Sequence, residues 1–347
     1  MFRRRVSDDK IESAIPDGGQ GAGPAAHAGV AAGDPDREEA GPWGPPPAGL
    51  DVSTPHPARV RNYWLGGRDF FAADKAAGEE IGQEFPHLAE IARAERAFLV
   101  RAVRFLAGPA RIRQFLDVGA GLPAGGNTHE IAQRIGPDTK IVYADHDPVV
   151  MLHAKALLGS PMLASTPEGA VCYTDADLRD VAAVLAAAAS TLDMSGPTAL
   201  ILLGILGHVD DYGAARSISS QLMDALPAGS YLVIADGAAT DPSVTSAQRR
   251  YDDIARPRYG ASAPPPYLLR KPDELASFFD GLDLIEPGVV PCPRWRPDRL
   301  DRSGRSARPA PPASPARLAP PGEPGEPGAD GARAGEAAAY CGVARKP

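Results

Sequence analysis

The sequence is poor in cysteine and contains no long apolar run. Its three cysteines, Cys172, Cys292 and Cys341, lie far apart. This number and spacing favour free thiols in a reducing compartment over a disulfide framework or a zinc site, so we expect no bound metal. No apolar run approaches the roughly 18 residues that span a bilayer. The N-terminal MFRRRVSDDKIESA does not lead into the apolar core of a signal peptide. We therefore expect a soluble cytoplasmic protein without a membrane partner.

An excess of positive charge is also missing. The net charge is −8 and the isoelectric point is about 5.4. Proteins that bind nucleic acids generally need a clustered basic face to neutralise phosphates. The arginines at 3–5 and 296–308 are terminal or interrupted, which is typical of solvated tails. We therefore expect no nucleic-acid partner. The sequence does not indicate an oligomeric state.

Glycine and proline, by contrast, are abundant, with 37 of each, and they crowd into two places. Residues 1–50 lack periodicity and predict a disordered N-terminal tail. A Pro/Ala/Arg/Gly run over 297–337 predicts a disordered loop insertion. The remaining sequence predicts one domain over 51–347. It comprises a helical extension over 51–110 and a core formed by 111–296 and 338–347.

Strand and helix patterns alternate through this core. From residue 72, apolar residues at helical spacing, broken by Pro86, predict two helices before the first strand. Five strands are then predicted with helices between them, namely RQFLDVG, KIVYAD, AVCYTDAD, TALILLGIL and SYLVIAD. Such alternation is typical of an α/β fold with a doubly wound parallel sheet. A helix at KPDELASFFDGL, a sixth strand at DLIEPGVVP and a final strand at AAYCGVARK follow.

The turn after the first strand is almost without side chains. It reads DVGAGLPAGG over residues 117–126. In doubly wound folds, ligands bind at the carboxyl ends of the strands, where small residues let the backbone approach them. The GAGLPA segment also satisfies the dinucleotide fingerprint G-x-G-x-x-A, so a dinucleotide is a second candidate ligand. Asp117, however, would repel a pyrophosphate and attract a cationic or amino-bearing ligand.

The next two strands also end in carboxylates. Asp145 lies at a distance from the turn that suits a ribose diol. Asp175 or Asp177 could accept a hydrogen bond from an adenine amine, and the Leu178 amide could donate to the ring. Helix capping or turn formation is the alternative role for each of these aspartates.

These segments resemble class I S-adenosylmethionine-dependent methyltransferases, and in particular an actinobacterial S-adenosyl methyltransferase family. The resemblance is carried by FLDVGAGLPAGGNTHEIAQ, IVYADHDPVVMLHAKALL, DADLRD and LILLGILGHVDD, with PHPARVRNYWLGGRDFFAADK and YCGVARKP at either side. It implies a seven-stranded, mostly parallel sheet of order 3-2-1-4-5-7-6 with an N-terminal helical extension. The implied S-adenosylmethionine contacts are Asp117, Gly119 and Gly121 to the methionine part, Asp145 to the ribose, and Asp177 with Leu178 to the adenine.

The N-terminal block RVRNYWLGGRDFFAAD allows two roles. Similar proteins keep this block ahead of the fold, where Tyr63, Gly66 and Gly67 could lie over the cofactor as a lid. Alternatively, Tyr63, Trp64 and the two following phenylalanines anchor the N-terminal helices onto the sheet.

Methyl transfer from a sulfonium needs mainly approach and orientation, so no strict catalytic signature is expected. His208, just after the fourth strand, is the candidate general base, with structural hydrogen bonding as its alternative role. Asp210, Asp211 and Asp236 are further pocket candidates. The Asn/Asp-Pro-Pro-Tyr/Phe motif of nucleic-acid amino methyltransferases is absent after the fourth strand, where the sequence reads GILGHVD.

The sequence therefore favours an S-adenosylmethionine-dependent methyltransferase acting on a small-molecule acceptor. A non-catalytic S-adenosylmethionine-binding module and an NAD-dependent oxidoreductase are the alternatives. Topology places the 297–337 run near the substrate mouth, where it could contact or gate the substrate or be a tolerated insertion.

Overall fold

The structure is a computed structural model, and it describes residues 51–158, 169–240, 242–260, 266–297 and 338–347. The predicted disordered tail over 1–50 lies outside the described residues. So does the predicted loop over 297–337, except for its first residue. Within the described ranges, none of the helices combines the length and the apolar character that crossing a bilayer requires.

Five parallel strands form most of the central sheet. They are β1 (Gln114–Val118), β2 (Lys140–Asp145), β3 (Val171–Asp175), β4 (Ala199–Leu203) and β5 (Tyr231–Gly237). Helices cover both faces, and the central strand β4 is accordingly apolar on both sides. Ile201 points into one apolar core, while Leu200 and Leu202 point into the other. The carboxyl ends of β1, β2 and β4 therefore meet at one edge of the sheet.

The predicted sheet order is confirmed at the antiparallel end as well. The last strand, β8 (Ala339–Arg345), pairs antiparallel with β5 and with β6 (Asp283–Leu284), which gives the order 3-2-1-4-5-8-6. The predicted single sixth strand is wrong in one respect. It is divided into β6 and a short β7 (Val290–Pro291), which also pairs with β8. Pro287 cannot donate to a strand ladder, and Gly288 turns the chain at φ +84.

The helices flank this sheet. They are α1 (Pro57–Trp64), α2 (Ala72–Glu84), α3 (Pro86–Ala107), α4 (Thr128–Ile135), α5 (Pro148–Leu158), α6 (Val181–Ala189), α7 (Tyr212–Asp224), α8 (Pro242–Tyr259) and α9 (Pro272–Ala276). Pro86 separates α2 from α3, as predicted. The predicted strand over 198–206 ends earlier, at Leu203, because Gly204 takes a positive φ of +61 and a short 3-10 turn follows.

Two helices were not predicted. Helix α1 lies in the N-terminal block, and α8 lies between β5 and α9. The sequence does carry a start signal for α8, because Asp-Pro at 241–242 suits a helix N-terminus. Its buried residues Val244, Gln248 and Ala255 also recur at helical spacing.

An apolar cluster joins the N-terminal helices to α8. It contains Val60 from α1, Ile81 from α2, Phe85, and Ala255 and Tyr259 from α8. A fully buried ion pair ties α1 to α2, since the Arg59 Nε donates to Asp74 Oδ2 over 2.8 Å. Together these contacts hold the N-terminal extension and α8 against each other above the edge of the sheet where the carboxyl ends of the strands meet.

Candidate functional site

Two cavities open at the carboxyl ends of the parallel strands. Cavity A, of about 330 Å³, runs from the turn after β1 toward helices α1, α3 and α8. Cavity B, of about 430 Å³, lies over the ends of β2 and β3. Gly119, Asp145, Ile205 and His208 line both, so the two cavities share a wall. An elongated ligand can therefore extend from one cavity into the other.

The glycines of the turn after β1 are required by its backbone and by its neighbours. Gly119 and Gly121 have φ values of +75 and +63, in the left-handed region. A Cβ on Gly119 would lie 2.4 Å from the Ile205 side chain, whereas a Cβ on Gly121 would meet no described atom within 4 Å. Gly119 is therefore small because of close packing, and Gly121 exposes bare backbone to cavity A.

Asp117 lies at the end of β1 and is buried at the floor of cavity A. Burial raises the pKa of its carboxyl to about 6, while a hydrogen bond from Thr128 and the charge of Arg96 oppose that rise. The Thr128 hydroxyl donates to Asp117 Oδ2 over 2.7 Å. This carboxyl is thus close to half ionised at pH 6, and a nearby cation would favour its ionised form.

Arg96 of α3 holds the far side of the same turn. Its guanidinium donates to the carbonyl oxygens of Ala124 and Gly125 and to the Asn127 side chain. These contacts occupy the guanidinium with the protein itself. The turn is therefore preorganised by α3 before any ligand arrives.

Asp145, at the end of β2, joins the two cavities. Its Oδ2 accepts from the Gly121 amide over 2.8 Å, and its Oδ1 accepts from the Asp147 amide over 2.9 Å. Burial raises the pKa of this carboxyl. Each oxygen retains a second lone pair, so the group can still accept hydrogen bonds from a ligand.

The end of β3 borders cavity B. Asp177 and the buried Leu178 line it. The backbone amide and the Nε of Arg179 donate to Asp177 Oδ1 over 2.9 and 3.0 Å. Asp175 pairs in register with Asp145 but is exposed and is not among the described residues lining either cavity. Of the two aspartates that the sequence left open, only Asp177 borders cavity B.

The N-terminal block approaches cavity A through different residues from those predicted. Tyr63, Gly66 and Gly67 are not among the described residues that line either cavity. The Tyr63 ring packs edge-to-face on Phe70 at 5.2 Å, a contact between two aromatic residues of the same block. The neighbouring Asn62 lines cavity A instead, and its Nδ2 donates to the Pro123 carbonyl over 2.6 Å.

The two predicted glycines of this block differ in their surroundings. A Cβ on Gly67 would lie 2.3 Å from the Asn62 side chain, while one on Gly66 would meet no described atom within 4 Å. Gly67 is therefore small so that Asn62 can reach the turn after β1.

His208 lies in the 3-10 turn after β4 and lines both cavities. Its ring packs edge-to-face on Tyr267, with 4.9 Å between centroids.

The three aspartates that the sequence offered as further pocket candidates have different surroundings. Asp211 caps α7, because its side chain accepts from a first-turn amide, and Asp210 is exposed. Asp236 is buried and accepts from the Gly207 and Gly237 amides over 3.2 Å each.

Several residues that line cavity A were missed by the sequence reasoning. They are Arg61, Glu95, Tyr251, Asp252 and Tyr267. Glu95 carried a usable signal, because it shares the apolar face of α3 with Ile91 and Phe98, and an isolated acid on such a face is unusual. The others lie on α1, on the unpredicted α8 or in the segment before α9, and periodicity alone could not place them at the crevice.

No cluster of three or more metal-ligating side chains occurs in the part of the chain that the structure describes. Asp117 accepts a hydrogen bond from the Thr128 hydroxyl, and Asp145 accepts from two backbone amides. Their arrangement suits a ligand with hydroxyl, amine and positively charged groups.

Comparisons with known proteins give matches over most of the chain. A family model described as S-adenosyl methyltransferase matches residues 44–347. A DUF574 family protein from Streptomyces avermitilis MA-4680 shares 38% identity, covering 86% of this chain and 99% of that one, with a TM-score of 0.67. A crystal structure described as a putative methyltransferase from Thermobifida fusca YX shares 37% identity, covering 88% and 99%, with a TM-score of 0.65. No curated protein matches the chain.

Proposed function

The chain belongs to the S-adenosyl methyltransferase family, and on that premise we propose that it transfers a methyl group to a small-molecule acceptor bound in cavity A. S-adenosylmethionine is the cofactor. The observation that carries the proposal is the convergence of Asp117 and Asp145 on one turn that exposes bare backbone. The shared wall between cavities A and B gives an elongated nucleoside derivative room to lie across both.

The residues present fit this cofactor better than a dinucleotide. The open direction at Gly121 provides the close backbone approach that the ligand needs. Asp117 provides a carboxylate for a positively charged amino acid portion. A pyrophosphate would meet this carboxylate, and the Arg96 guanidinium at the turn is already bound to protein oxygens. The NAD alternative therefore lacks support from the site.

Each cofactor contact has a candidate residue. Asp145 would accept from the ribose hydroxyls with the lone pairs that its backbone contacts leave free. Asp177 and Leu178 would hold the adenine in cavity B. Asp117, Gly119 and Gly121 would face the methionine portion. They line the part of cavity A beside the turn after β1, which we call its near half. Tyr63, Gly66 and Gly67 stay a proposed cover of the cofactor, although Asn62 of the same block lines cavity A and these three residues do not.

The far half of cavity A is left for the acceptor. It extends past Gly204, at the end of β4, to Tyr251 and Tyr267. When bound, S-adenosylmethionine supplies an electrophilic methyl group on a positively charged sulfur. The protein then has to exclude water and align the acceptor with the methyl group. His208, at the boundary of the two cavities, would accept a proton from acceptors that must lose one.

Calorimetry with S-adenosylhomocysteine and with NAD tests the cofactor assignment. We expect micromolar binding of S-adenosylhomocysteine and none of NAD. Asp145→Ala should weaken that binding by about tenfold or more, since it removes charge-assisted hydrogen bonds. Asp175→Ala is the matched control, because Asp175 ends the neighbouring strand in register but is exposed. Equal affinity for Asp145→Ala and wild type would refute the ribose role of Asp145.

Catalysis itself needs a separate test. Incubating the protein with S-adenosylmethionine and a panel of small-molecule acceptors should release S-adenosylhomocysteine with at least one of them. His208→Asn should lower this turnover and leave S-adenosylhomocysteine binding nearly unchanged. Tight cofactor binding without turnover on any acceptor would favour the non-catalytic binding module.

A further inference from the structure

Glu95 is a buried acid on the wall of cavity A, and its role is not explained by packing. It lies on α3 with a side chain that is 1% exposed. Its Oε2 accepts from Arg61 Nη2 over 2.7 Å, while its Oε1 is buried and accepts no hydrogen bond from any described residue. A buried acceptor left unsatisfied is costly, and native proteins generally provide it with a partner. A hydrogen-bond donor on a ligand would satisfy it.

The position of Glu95 points to the acceptor and not to the cofactor. A Cβ on Gly204 would lie 3.2 Å from Glu95 Oε2, so the carboxyl lies directly over the end of β4. β4 lies on one side of β1 and β2, which ends in Asp145, lies on the other, so Glu95 is on the side of cavity A away from the proposed ribose contact. Burial raises the pKa of Glu95 against the opposing charge of Arg61, as expected for a carboxyl that has few partners.

Aromatic rings and a second acid line the far half of the cavity. The rings belong to Trp64, Tyr251 and Tyr267. Asp252 of α8 also lines cavity A, and it accepts from the Gln248 side chain over 3.0 Å and from the Tyr267 amide over 3.2 Å. Aromatic faces combined with carboxylates are a favourable setting for an organic cation.

Basic groups in cavity A are already engaged. Of the arginines that line it within the described residues, Arg61 pairs with Glu95 and Arg96 binds the turn after β1. An acceptor that carries a carboxylate or phosphate would therefore meet Glu95 and Asp252, and it would have to share each arginine with the protein oxygens that the arginine already binds. A neutral alcohol would satisfy Glu95 Oε1 but would gain little from the surrounding charges and rings.

From these contacts we propose that the acceptor is an amine with an apolar or aromatic body. Its protonated nitrogen donates to Glu95 Oε1, and its body packs against Trp64, Tyr251 and Tyr267. Before transfer, Glu95 would take one proton from this nitrogen. The neutral nitrogen would then form the N–C bond to the methyl group of bound S-adenosylmethionine as the S–C bond breaks, with that electron pair remaining on the sulfur. Asp252 adds a second negative charge to this subsite. The inference deepens the proposed methyl transfer and rests on it, because the near half of the cavity must hold the cofactor for the far half to receive an acceptor.

Three probes that share one carbon skeleton test the proposal: phenethylamine, 2-phenylethanol and phenylacetate. Their dissociation constants are measured by ligand-observed NMR titration of the full-length protein at pH 7.5 with saturating S-adenosylhomocysteine. We expect the amine to bind about tenfold more tightly than the alcohol, the effect of one charge-assisted hydrogen bond, and the acid to bind most weakly. Equal affinities, or tighter binding of the acid, would overturn the proposal.

Glu95→Gln should remove this preference by weakening amine binding about tenfold. Glu90→Gln is the matched control, because it makes the same change at an exposed site on the same helix. An amine preference retained by Glu95→Gln would overturn the proposal. If that variant does not fold, Asp252→Asn provides the comparison, with an expected loss of at least about threefold, and unchanged amine binding would again overturn it. Failure of S-adenosylhomocysteine to bind the wild type would instead count against the proposed function.

Discussion

Cofactor binding should depend on pH through Asp117. Lowering the pH from 7 to 5 protonates the Asp117 carboxyl, because burial raises its pKa to about 6. About nine-tenths of a group with this pKa is ionised at pH 7, and only about one-tenth at pH 5. The ammonium of S-adenosylhomocysteine stays protonated over this range, so only the ionised carboxylate attracts it. If binding needs that form, the apparent dissociation constant should be about tenfold higher at pH 5.

The stability of the ligand-free protein should change in the opposite direction. The folded-state pKa of Asp117 lies above its ordinary value of 3.8, so the native state binds more protons than the unfolded state between roughly pH 4 and pH 6. This contribution to stability is present below the unfolded pKa and is lost as pH rises through about 6. Weaker binding at pH 5 therefore cannot be attributed to loss of this contribution.

The assay is calorimetry with S-adenosylhomocysteine at half-unit steps from pH 5 to pH 7.5. Asp117→Asn should bind more weakly at pH 7 and show a flatter profile, with the residual slope due to Asp145, whose pKa burial also raises. Asp175→Asn should keep the wild-type profile, because Asp175 is exposed and off both cavities. A wild-type affinity that is constant across this range would refute the assignment of Asp117 to the cationic portion of the cofactor.

Three further substitutions separate binding from stability. Gly119→Ala should weaken S-adenosylhomocysteine binding and lower stability by about 1–2 kcal/mol, because φ is +75 and the new Cβ would press on Ile205; unchanged binding and melting temperature would contradict this. Asp211→Ala should lower stability by about 1 kcal/mol through loss of the α7 cap, with unchanged cofactor affinity in calorimetry. Asp74→Ala should cost about 3–5 kcal/mol in denaturant unfolding, because it leaves the charge of Arg59 buried without a carboxylate; a loss below 1 kcal/mol would show that this ion pair matters little.

The sheet could be predicted because its strands have unambiguous local patterns. Strands buried on both faces read as short continuous apolar runs, as at β4, and glycine or proline marks most of their ends. Nothing in the local sequence indicates that β8 lies antiparallel between β5 and β6. Only the resemblance to a family predicted this position. The division of the sixth strand was indicated by Pro287 and Gly288, which should have argued against continuous pairing.

The candidate site was predictable in part for a similar reason. Asp117 and Asp145 lie at the ends of strands, so their place at the crevice follows from topology, and both line cavity A. Glu95 and Tyr251 reach the same cavity from helices, through packing between segments far apart in sequence. No periodicity reveals which turn of a helix will face a crevice. An acid on an apolar helix face, as at Glu95, is the signal that could have been used.

A crystal structure of the protein with S-adenosylhomocysteine would show where each part of the cofactor binds. We expect the adenine in cavity B beside Asp177 and Leu178, the ribose hydroxyls within hydrogen-bonding distance of Asp145, and the amino acid portion over Gly119 and Gly121. The far half of cavity A should stay open to an acceptor. A ligand bound elsewhere, or one whose ribose does not touch Asp145, would contradict the assignment of these residues to the cofactor.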